Sequence, residues 1–191
     1  VLIPNPGYPT YTSVTKLVGA TSVFYDLKAA SNWQPDLGAL KSMDVSKVKL
    51  MWVNYPHMPT GTMVDEGKMK SLISFAKKNN ILICHDNPYS LVLNTKNPQS
   101  IFQIEGSKDV AIELNSLSKS HNMAGWRVGM ILGNKKIINS ILKVKSNIDS
   151  GIFKGTQDAA TQALSLPISW HENRNIIYKE RLMISFIFPL Y

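Results

Sequence analysis

One short stretch of this chain combines residue types that can hold and use a reactive cofactor. Ser116, Ser118 and Lys119 fall within four positions, and Arg127 follows eight residues after the lysine. A lysine amine can form a Schiff base with an aldehyde when it is held deprotonated. Arginine carries a permanently charged, forked group that suits phosphate. A lysine for an aldehyde, with hydroxyls and an arginine for a phosphate, is the set that anchoring of pyridoxal phosphate requires.

A second pair of polar residues, Asp86 and Tyr89, follows an apolar run earlier in the chain. A carboxylate at the end of a buried strand is costly unless it meets a cation or a strong donor. A protonated pyridine nitrogen is such a partner, and the pairing keeps the ring an electron sink. The phenol of Tyr89 can donate to an oxygen on the same ring. In isolation, Asp86 could equally be a turn or cap aspartate, and Tyr89 a packing residue.

The elements that must position these residues alternate between strand and helix. Mostly apolar runs of strand length occupy residues 48–54, 81–86 and 110–114. Such runs are typical of strands that are buried on both faces of a parallel sheet. Ligands of these sheets bind beyond the carboxyl ends of the strands, where the polar loops after Asn54, Asp86 and Leu114 all fall. The pattern therefore predicts an open, mostly parallel α/β sheet.

Further strands and helices are predicted, but the sequence pattern alone does not decide their positions in the fold. Residues 1–3 and 21–27 have strand composition, and a strand over 128–132 either runs in the opposite sense or lies at an edge. Helices are predicted over residues 11–19, within 33–43, over 158–166 and from 170 to about 181.

Two further helices have amphipathic patterns. One opens at Thr62 and Asp65, which fit a capping box, and continues to about Lys78. Its inward residues are predicted at helical spacing: Met69, Leu72, Ile73 and Ala76. The other is capped by Asn134, and its apolar residues are also predicted to face inward: Ile137, Ile138, Ile141, Leu142 and Ile148.

Composition narrows the class of protein. The 191 residues are 44% apolar, which is ordinary for a chain with a core. The net charge is +8, but the lysines are scattered without an arginine-rich run, so we predict solvated surfaces and no nucleic-acid partner. The single cysteine, Cys84, cannot form an internal disulfide and favours a reducing, cytoplasmic compartment.

The sequence contains no motif typical of secretion, membrane insertion, metal binding or nucleotide binding. No signal peptide is visible, and the apolar tail is shorter than the roughly 20 residues that a bilayer needs, so no membrane partner is expected. The four histidines do not have a metal-ligand spacing, so we predict no metal site. The glycine patterns of dinucleotide and P-loop nucleotide binding do not occur.

Residues 116–129 read SLSKSHNMAGWRVG. The pattern SxSKxxxMxGWRxG resembles the lysine-bearing segment of class I/II aminotransferases, which belong to fold type I of the pyridoxal-phosphate enzymes. The order Asp86-x-x-Tyr89 followed by SxSK also matches that family. The resemblance covers roughly residues 1 to 181, and its strongest motifs lie between 48 and 133.

The resemblance implies a division of the chain. Residues 1–150 would form part of the large, cofactor-binding domain of fold type I, a three-layer sandwich around a mostly parallel sheet. Residues 151–191 would begin the small carboxyl-terminal domain. The segment 182–191 departs abruptly from the family and is predicted to be an atypical tail, as from a gene truncated at both ends.

The resemblance also implies a role for each candidate residue. Lys119 is the Schiff-base lysine, and it moves the proton between the substrate's alpha carbon and the cofactor's aldehyde carbon. Burial and nearby cations would favour the neutral amine that this needs. Asp86 pairs with the pyridine nitrogen, and Tyr89 donates to the ring oxygen. The phosphate is held by Ser116, Ser118 and Arg127.

Two loops resemble the family's cofactor loops, one with a departure. Tyr8 lies in PGYP, which resembles the PxYP turn that borders the cofactor and the substrate. Residues 54–61 read NYPHMPTG and resemble NYPxNPTG, but Met58 replaces the asparagine that hydrogen-bonds the ring oxygen. Methionine cannot donate that bond. Either Tyr89 or His57 covers the role, or the cofactor is tuned differently.

The implied activity is the transfer of an amino group from an amino acid to a 2-oxo acid, by ping-pong through pyridoxamine phosphate, in a homodimer. Residues 147–153, NIDSGIF, resemble the diaminopimelate-aminotransferase-like branch. Family members are about twice this length, and their substrate-gating residues and carboxylate-binding arginine have no counterpart here. Two alternatives therefore stay open: a catalytically inactive remnant, and a C–S β-lyase of the same fold.

Overall fold

The computed structural model describes residues 1–94 and 98–187. Within these ranges six strands form one sheet. Their bounds are β1 (Leu2–Asn5), β2 (Val23–Asp26), β3 (Leu50–Asn54), β4 (Leu82–Asp86), β5 (Ala111–Ser116) and β6 (Gly129–Gly133). The order across the sheet is β2-β1-β3-β4-β5-β6. The first five strands are parallel and β6 runs antiparallel to β5, which confirms the mostly parallel sheet and gives the direction of the last strand.

Eight α-helices occur in the same ranges. They are α1 (Pro9–Leu17), α2 (Leu37–Ser42), α3 (Glu66–Asn79), α4 (Ser107–Val110), α5 (Leu117–Ser120), α6 (Lys135–Ile148), α7 (Lys154–Leu164) and α8 (Ile168–Ile187). The tail predicted from residue 182 continues α8 to Ile187, and residues 188–191 fall outside the described part. None of the described helices is both long and apolar enough to cross a membrane.

Helix α3 shows both a correct and an incorrect prediction. Its predicted inward residues are all buried, together with Phe75. The capping box, however, is wrong. Asp65 caps the helix alone, because its carboxylate accepts a hydrogen bond from the backbone N–H of Lys68 at 2.8 Å. Thr62 lies three residues too early and instead accepts a hydrogen bond from the Thr60 hydroxyl at 3.1 Å.

Alternate residues of β3 face opposite layers of helices, as the twofold period of a strand requires. Met51 and Val53 are fully buried in the main hydrophobic core, which also contains the inner face of α3. Trp52, between them, stacks on Tyr11 of α1, with ring centroids 4.5 Å apart. Helices thus cover both faces of the sheet, and the three-layer α/β fold is confirmed.

Helix α6 has an amphipathic pattern but no buried residue. Leu142, Val144 and Ile148 are more than half exposed, so the prediction that Leu142 and Ile148 face inward is wrong. The reason is that periodicity identifies an apolar stripe but not what covers it. In the described ranges this helix packs mainly beside β6, at the open edge of the sheet.

The strand register aligns the ends of the central strands. Asn54, the last residue of β3, lies opposite Asp86, the last residue of β4. Asp86 in turn lies opposite Leu114 of β5. The loops that follow these strands therefore open at one edge of the sheet, and β5 leads directly into the short helix α5 that carries Lys119.

A buried polar network lies just inside this edge. Nδ1 of His85 is 3.1 Å from Oε2 of Glu113, and Nε2 is 3.1 Å from the carbonyl oxygen of Tyr55. The same carboxylate oxygen accepts hydrogen bonds from the backbone N–H of Ile101 at 2.8 Å and from the hydroxyl of Ser100 at 3.0 Å. Burial alone would raise the pKa of Glu113, but His85 and these donors lower it below its ordinary value of 4.5.

We expect Glu113→Gln to lower the free energy of unfolding at neutral pH by about 3 kcal/mol, because it breaks a buried, charge-assisted network. The pH dependence should also change. A carboxyl group with a lowered folded-state pKa stabilises the fold above its ordinary pKa, and that stability is lost as the pH falls through the folded value. Denaturant unfolding between pH 3 and 7, roughly the window of carboxyl titration, should therefore show a flatter acid limb for the variant.

The matched control is Glu66→Gln, since Glu66 forms an exposed pair with Lys70 at 3.1 Å. Exposed pairs of this kind contribute at most about 1 kcal/mol. Equal losses of stability in the two variants would contradict the role assigned to the buried network.

Candidate functional site

One cavity of about 340 Å³ opens at the carboxyl ends of the central strands, and it brings together all seven residues predicted from the sequence. They are Tyr8, Asp86, Tyr89, Ser116, Ser118, Lys119 and Arg127. Tyr11, Asn54 and Met58 also line it. In the described part of the chain no cluster of three His, Cys, Asp or Glu side chains suited to a metal ion occurs.

Asp86 is half-buried in this cavity, where the register of β4 places it. The hydroxyl of Tyr11 donates to its Oδ2 at 2.6 Å. Among the described residues no cation forms an ion pair with this carboxylate. Burial therefore raises the pKa of Asp86, while the Tyr11 hydrogen bond and the nearby His85 act in the opposite direction. The result is a desolvated acceptor that is complementary to a protonated ring nitrogen.

Two tyrosines, Tyr11 and Tyr89, line the cavity together with Asp86. Tyr11 lies between Trp52, on which it stacks, and Tyr8, whose ring meets it edge-on at 5.7 Å. Burial and the charge of Asp86 raise the pKa of the Tyr11 phenol, so it remains a donor. The pKa of Tyr89 is raised by burial, Asp86 and Tyr8. Both phenols are thus protonated at neutral pH and available for donation.

Helix α5 presents Lys119 at the rim of the cavity. Ser116 caps this helix, because its hydroxyl oxygen accepts a hydrogen bond from the backbone N–H of Ser118 at 3.1 Å. The Lys119 side chain is exposed. The neighbouring cation, Arg127, lines the same cavity as expected.

Arg127 occupies an unusual backbone conformation. Its φ of 55° lies in the left-handed region, and its Nη1 donates to the carbonyl oxygen of Ala124 at 2.8 Å. For a residue other than glycine this conformation costs about 1 kcal/mol or more, and such strain concentrates at functional sites. Arg127 is exposed and lines the same cavity as Ser118.

His57 and Tyr89 were the two candidates to replace the hydrogen bond that Met58 cannot donate, and they differ in the cavities that they line. His57 is buried, with Nδ1 2.8 Å from the hydroxyl of Thr60 and Nε2 3.2 Å from the carbonyl oxygen of Pro6. It lines an adjoining cavity and not the one that contains Lys119. Met58 and Tyr89 both line the Lys119 cavity.

Sequence reasoning missed two residues that contact Asp86. Tyr11 reaches its carboxylate from α1, although it lies 75 positions away in sequence. Asn54 donates from Nδ2 to the Asp86 carbonyl oxygen at 2.8 Å and accepts from the backbone N–H of Met58 at 2.8 Å. The signal for Asn54 was available, since it ends a buried strand as Asp86 does. The signal for Tyr11 was weak, because a tyrosine on a short helix reads first as a core residue.

We expect Tyr11→Phe to weaken the binding of pyridoxal phosphate about tenfold or more, because hydrogen bonds to charged groups contribute about 1.5–3 kcal/mol. The phenylalanine ring keeps the stack on Trp52, so the change removes only the hydroxyl. Loss of this donor should also raise the pKa of Asp86 further. Cofactor titrations followed by absorbance at several pH values would measure both effects.

Tyr25→Phe is the matched control, since the buried Tyr25 hydroxyl donates to the carbonyl oxygen of Trp52 at 2.7 Å. This variant should lose a comparable hydrogen bond and some stability while its affinity for the cofactor stays unchanged. Equal affinities of the Tyr11 and Tyr25 variants would show that the Tyr11 hydroxyl does not act on Asp86.

Comparisons with known proteins show the family of this chain. Residues 1–184 match the family model for aminotransferase class I and II. Among curated proteins, LL-diaminopimelate aminotransferase of Aquifex aeolicus is 42% identical over 185 residues, which are 96% of this chain and 48% of that protein. LL-diaminopimelate aminotransferase of Halothermothrix orenii is 44% identical over 181 residues, which are 94% of this chain and 46% of that protein.

Solved structures show the same relationship. The apo form of BacF from Bacillus subtilis superposes with a TM-score of 0.90 at 38% identity, covering 94% of this chain and 46% of that one. A probable N-succinyldiaminopimelate aminotransferase from Thermus thermophilus gives a TM-score of 0.87 at 30% identity, covering 94% and 48%. The chain thus spans about half the length of the relatives it matches. On the family match and these similarities, the chain belongs to the aminotransferase class I and II family.

Proposed function

We propose that this chain carries the cofactor-binding core of a pyridoxal-phosphate-dependent aminotransferase, which transfers an amino group from an amino acid to a 2-oxo acid. One observation carries the proposal: in a member of this family, all seven candidate residues line a single cavity. When bound, pyridoxal phosphate supplies an aldehyde and an electron-withdrawing ring. The parts of the reaction that this chain can perform follow from its own residues.

Asp86 is the test of whether the cavity fits the cofactor. Its carboxylate is desolvated, its pKa is raised, and it forms no ion pair with a cation in the described ranges. A ring nitrogen that carries a proton would supply the missing positive charge. Asn54 and Tyr11 hold Asp86 from its backbone and its side chain, so it presents a fixed acceptor. The donor set therefore fits the proposed group.

The other residues take complementary roles. Lys119 would hold the aldehyde of the cofactor and would move the proton at the alpha carbon of the substrate, since its exposed amine lies at the rim of the cavity. Tyr89 would donate a hydrogen bond to the ring oxygen. Tyr8 would contact the ring or the substrate. The phosphate would be held by Ser116, Ser118 and Arg127.

The names of the relatives support a proposal for the branch of the family. Several of them are named LL-diaminopimelate aminotransferase, and we propose that this chain belongs to the same branch. We also propose a homodimer in the cytoplasm, with residues 1–150 in the large domain and residues 151–191 beginning the small one. Because the chain spans about half the length of these relatives, the test is made on the chain itself.

The test is a half-reaction. The purified chain is mixed with pyridoxal phosphate and its absorbance is recorded before and after addition of an amino acid, then after addition of a 2-oxo acid. We expect uptake of the cofactor, conversion to its amine form by the amino acid, and recovery with the oxo acid. Uptake without conversion would identify a non-catalytic binding module. Release of pyruvate and ammonia from a cysteine conjugate would identify a β-lyase instead, and no uptake would overturn the proposal.

A further inference from the structure

Helix α8 contains a buried cation that contacts two of the segments framing the cavity. Arg174 is 6% exposed. Its Nη1 donates to the carbonyl oxygen of Ser120, and its Nη2 donates to the carbonyl oxygen of Leu91. Ser120 directly follows Lys119, and Leu91 lies two residues after Tyr89. One planar group therefore bridges the lysine-bearing turn and the tyrosine-bearing loop.

The neighbouring residue strengthens the contact with the tyrosine-bearing loop. Oδ1 of Asn175 accepts a hydrogen bond from the backbone N–H of Leu93 at 3.1 Å, and its Nδ2 donates to the carbonyl oxygen of Leu91 at 3.2 Å. Oδ1 also accepts from Nη2 of Arg174 at 3.0 Å. Helix α8 thus forms hydrogen bonds to a carbonyl oxygen and to an N–H group of this loop. These bonds constrain both the orientation of the loop and its distance from the helix.

Pairing with an acid does not explain the burial of Arg174. No carboxylate of residues 1–94 or 98–187 forms an ion pair with it. Its guanidinium carbon lies 5.4 Å from the centre of the Trp170 ring and 5.7 Å from that of Tyr178, and burial lowers its pKa. A desolvated cation without an acid is costly. Its forked donors, which reach two separate carbonyls, give a geometric reason for its presence.

Resting on the function proposed above, we infer that Arg174, assisted by Asn175, is a positioning residue that sets the spacing between Tyr89 and Lys119 across the cofactor cavity. It acts through the backbone of both segments and does not touch the cavity itself, since neither residue lines it. Helix α8 lies after residue 150, where the proposed large domain ends. The segment after that boundary therefore has a role in positioning residues of the cavity.

The first test needs no cofactor. Hydrogen exchange is measured on the chain and on Arg174→Gln, following peptides that cover residues 91–93 and 118–122. We expect exchange in both segments to become about tenfold faster or more, because the bridge that closes them is lost. Lys179→Ala is the matched control, since Lys179 is an exposed cation on the same helix, and it should leave both segments unchanged. Unaltered exchange in the Arg174 variant would overturn the inference.

Two further variants test whether the two hydrogen bonds of the Arg174 guanidinium matter, or only its positive charge. Asn175→Ala removes the partner of the Leu93 N–H and should accelerate exchange in residues 91–93 alone, and it serves also if the Arg174 variant folds poorly. Arg174→Lys keeps the charge but cannot reach both carbonyls with a planar fork. We expect it to resemble Arg174→Gln, and full recovery with lysine would show that charge and not bridging matters.

The second test asks whether Arg174 acts through Tyr89. Affinity for pyridoxal phosphate is measured for Arg174→Gln, Tyr89→Phe and the double variant. We expect Arg174→Gln to weaken binding about tenfold alone but less than about threefold when Tyr89 is already replaced, because coupled residues are not additive. The same factor in both backgrounds would indicate a merely structural role. If the unaltered chain binds no cofactor, the proposed function fails, and the exchange experiment alone decides this inference.

Discussion

If the proposed function holds, replacement of Lys119 by alanine is expected to abolish covalent capture of pyridoxal phosphate and to reduce transamination by roughly 10⁴-fold or more, since the proposal assigns both the nucleophile and the proton carrier to this one amine. Lys119 is exposed at the rim of the cavity, so the truncation leaves no buried void and stability should change little. The measurement is reduction with borohydride, which fixes the bound aldehyde on its lysine, followed by peptide mass analysis.

Two controls make this result specific. Lys119→Arg keeps a cation in place but offers no Schiff-base amine, so it should also fail to capture the cofactor. Lys135→Ala removes another exposed lysine, at the start of α6, and should leave capture intact. Label on a different lysine of the unaltered chain would refute the assignment of Lys119.

Replacement of Asp86 by asparagine should have opposite effects on stability and on function. The variant keeps an oxygen for the Tyr11 hydroxyl but loses the negative charge that would face a protonated ring nitrogen. We expect the transamination rate to fall by an order of 10²- to 10³-fold, as when other preorganised electrostatic partners are removed. The cofactor-free chain should instead become more stable by about 1 kcal/mol at neutral pH, because a desolvated carboxylate is removed.

The sign of the stability effect follows from the raised pKa of Asp86. A carboxyl group whose folded-state pKa lies above its ordinary 3.8 binds its proton more tightly in the folded chain. Its contribution is most favourable at low pH and is lost as the pH rises through the folded value. The stability advantage of Asp86→Asn should therefore vanish below about pH 3.8 and grow towards neutrality. Denaturant unfolding across this range measures it.

Asp109→Asn is the control for this experiment. Asp109 is exposed and pairs with Lys77 at 3.2 Å, so its replacement should change stability by less than about 1 kcal/mol and leave function unaltered. A cofactor-free Asp86→Asn chain that is less stable than the unaltered one at neutral pH would show that the Tyr11 hydrogen bond outweighs the desolvation of the carboxylate, which would contradict this prediction.

Much of the fold followed from local patterns. The apolar runs before Asn54 and Asp86 and the run that ends at Leu114 predicted buried parallel strands, because a strand covered on both faces needs no alternation. Their carboxyl ends then had to meet at one edge, which predicted the location of the site. Helix α3 followed from its own 3.6-residue period. These features depend on near neighbours in the chain, so the sequence displays them directly.

Other features depend on what packs against a segment, and local patterns do not contain that information. The apolar stripe of α6 predicted a buried face, yet Leu142 and Ile148 are exposed. Local patterns also did not indicate the exposure of Lys119, which lies at the rim of the cavity. The direction of β6 stayed undecided, because a short apolar strand looks the same in either direction.

The residue types and order of Lys119, Asp86, Tyr89 and Arg127 were determined by the sequence alone, and with them the chemistry that these side chains can perform. Only the tertiary structure decided that these residues share one cavity, that Tyr11 supports Asp86 across 75 positions, and that Arg174 bridges the backbones beside Tyr89 and Lys119. The physical reason is that chemical identity belongs to single residues. Distance, burial and hydrogen-bond partners arise only when remote segments pack together.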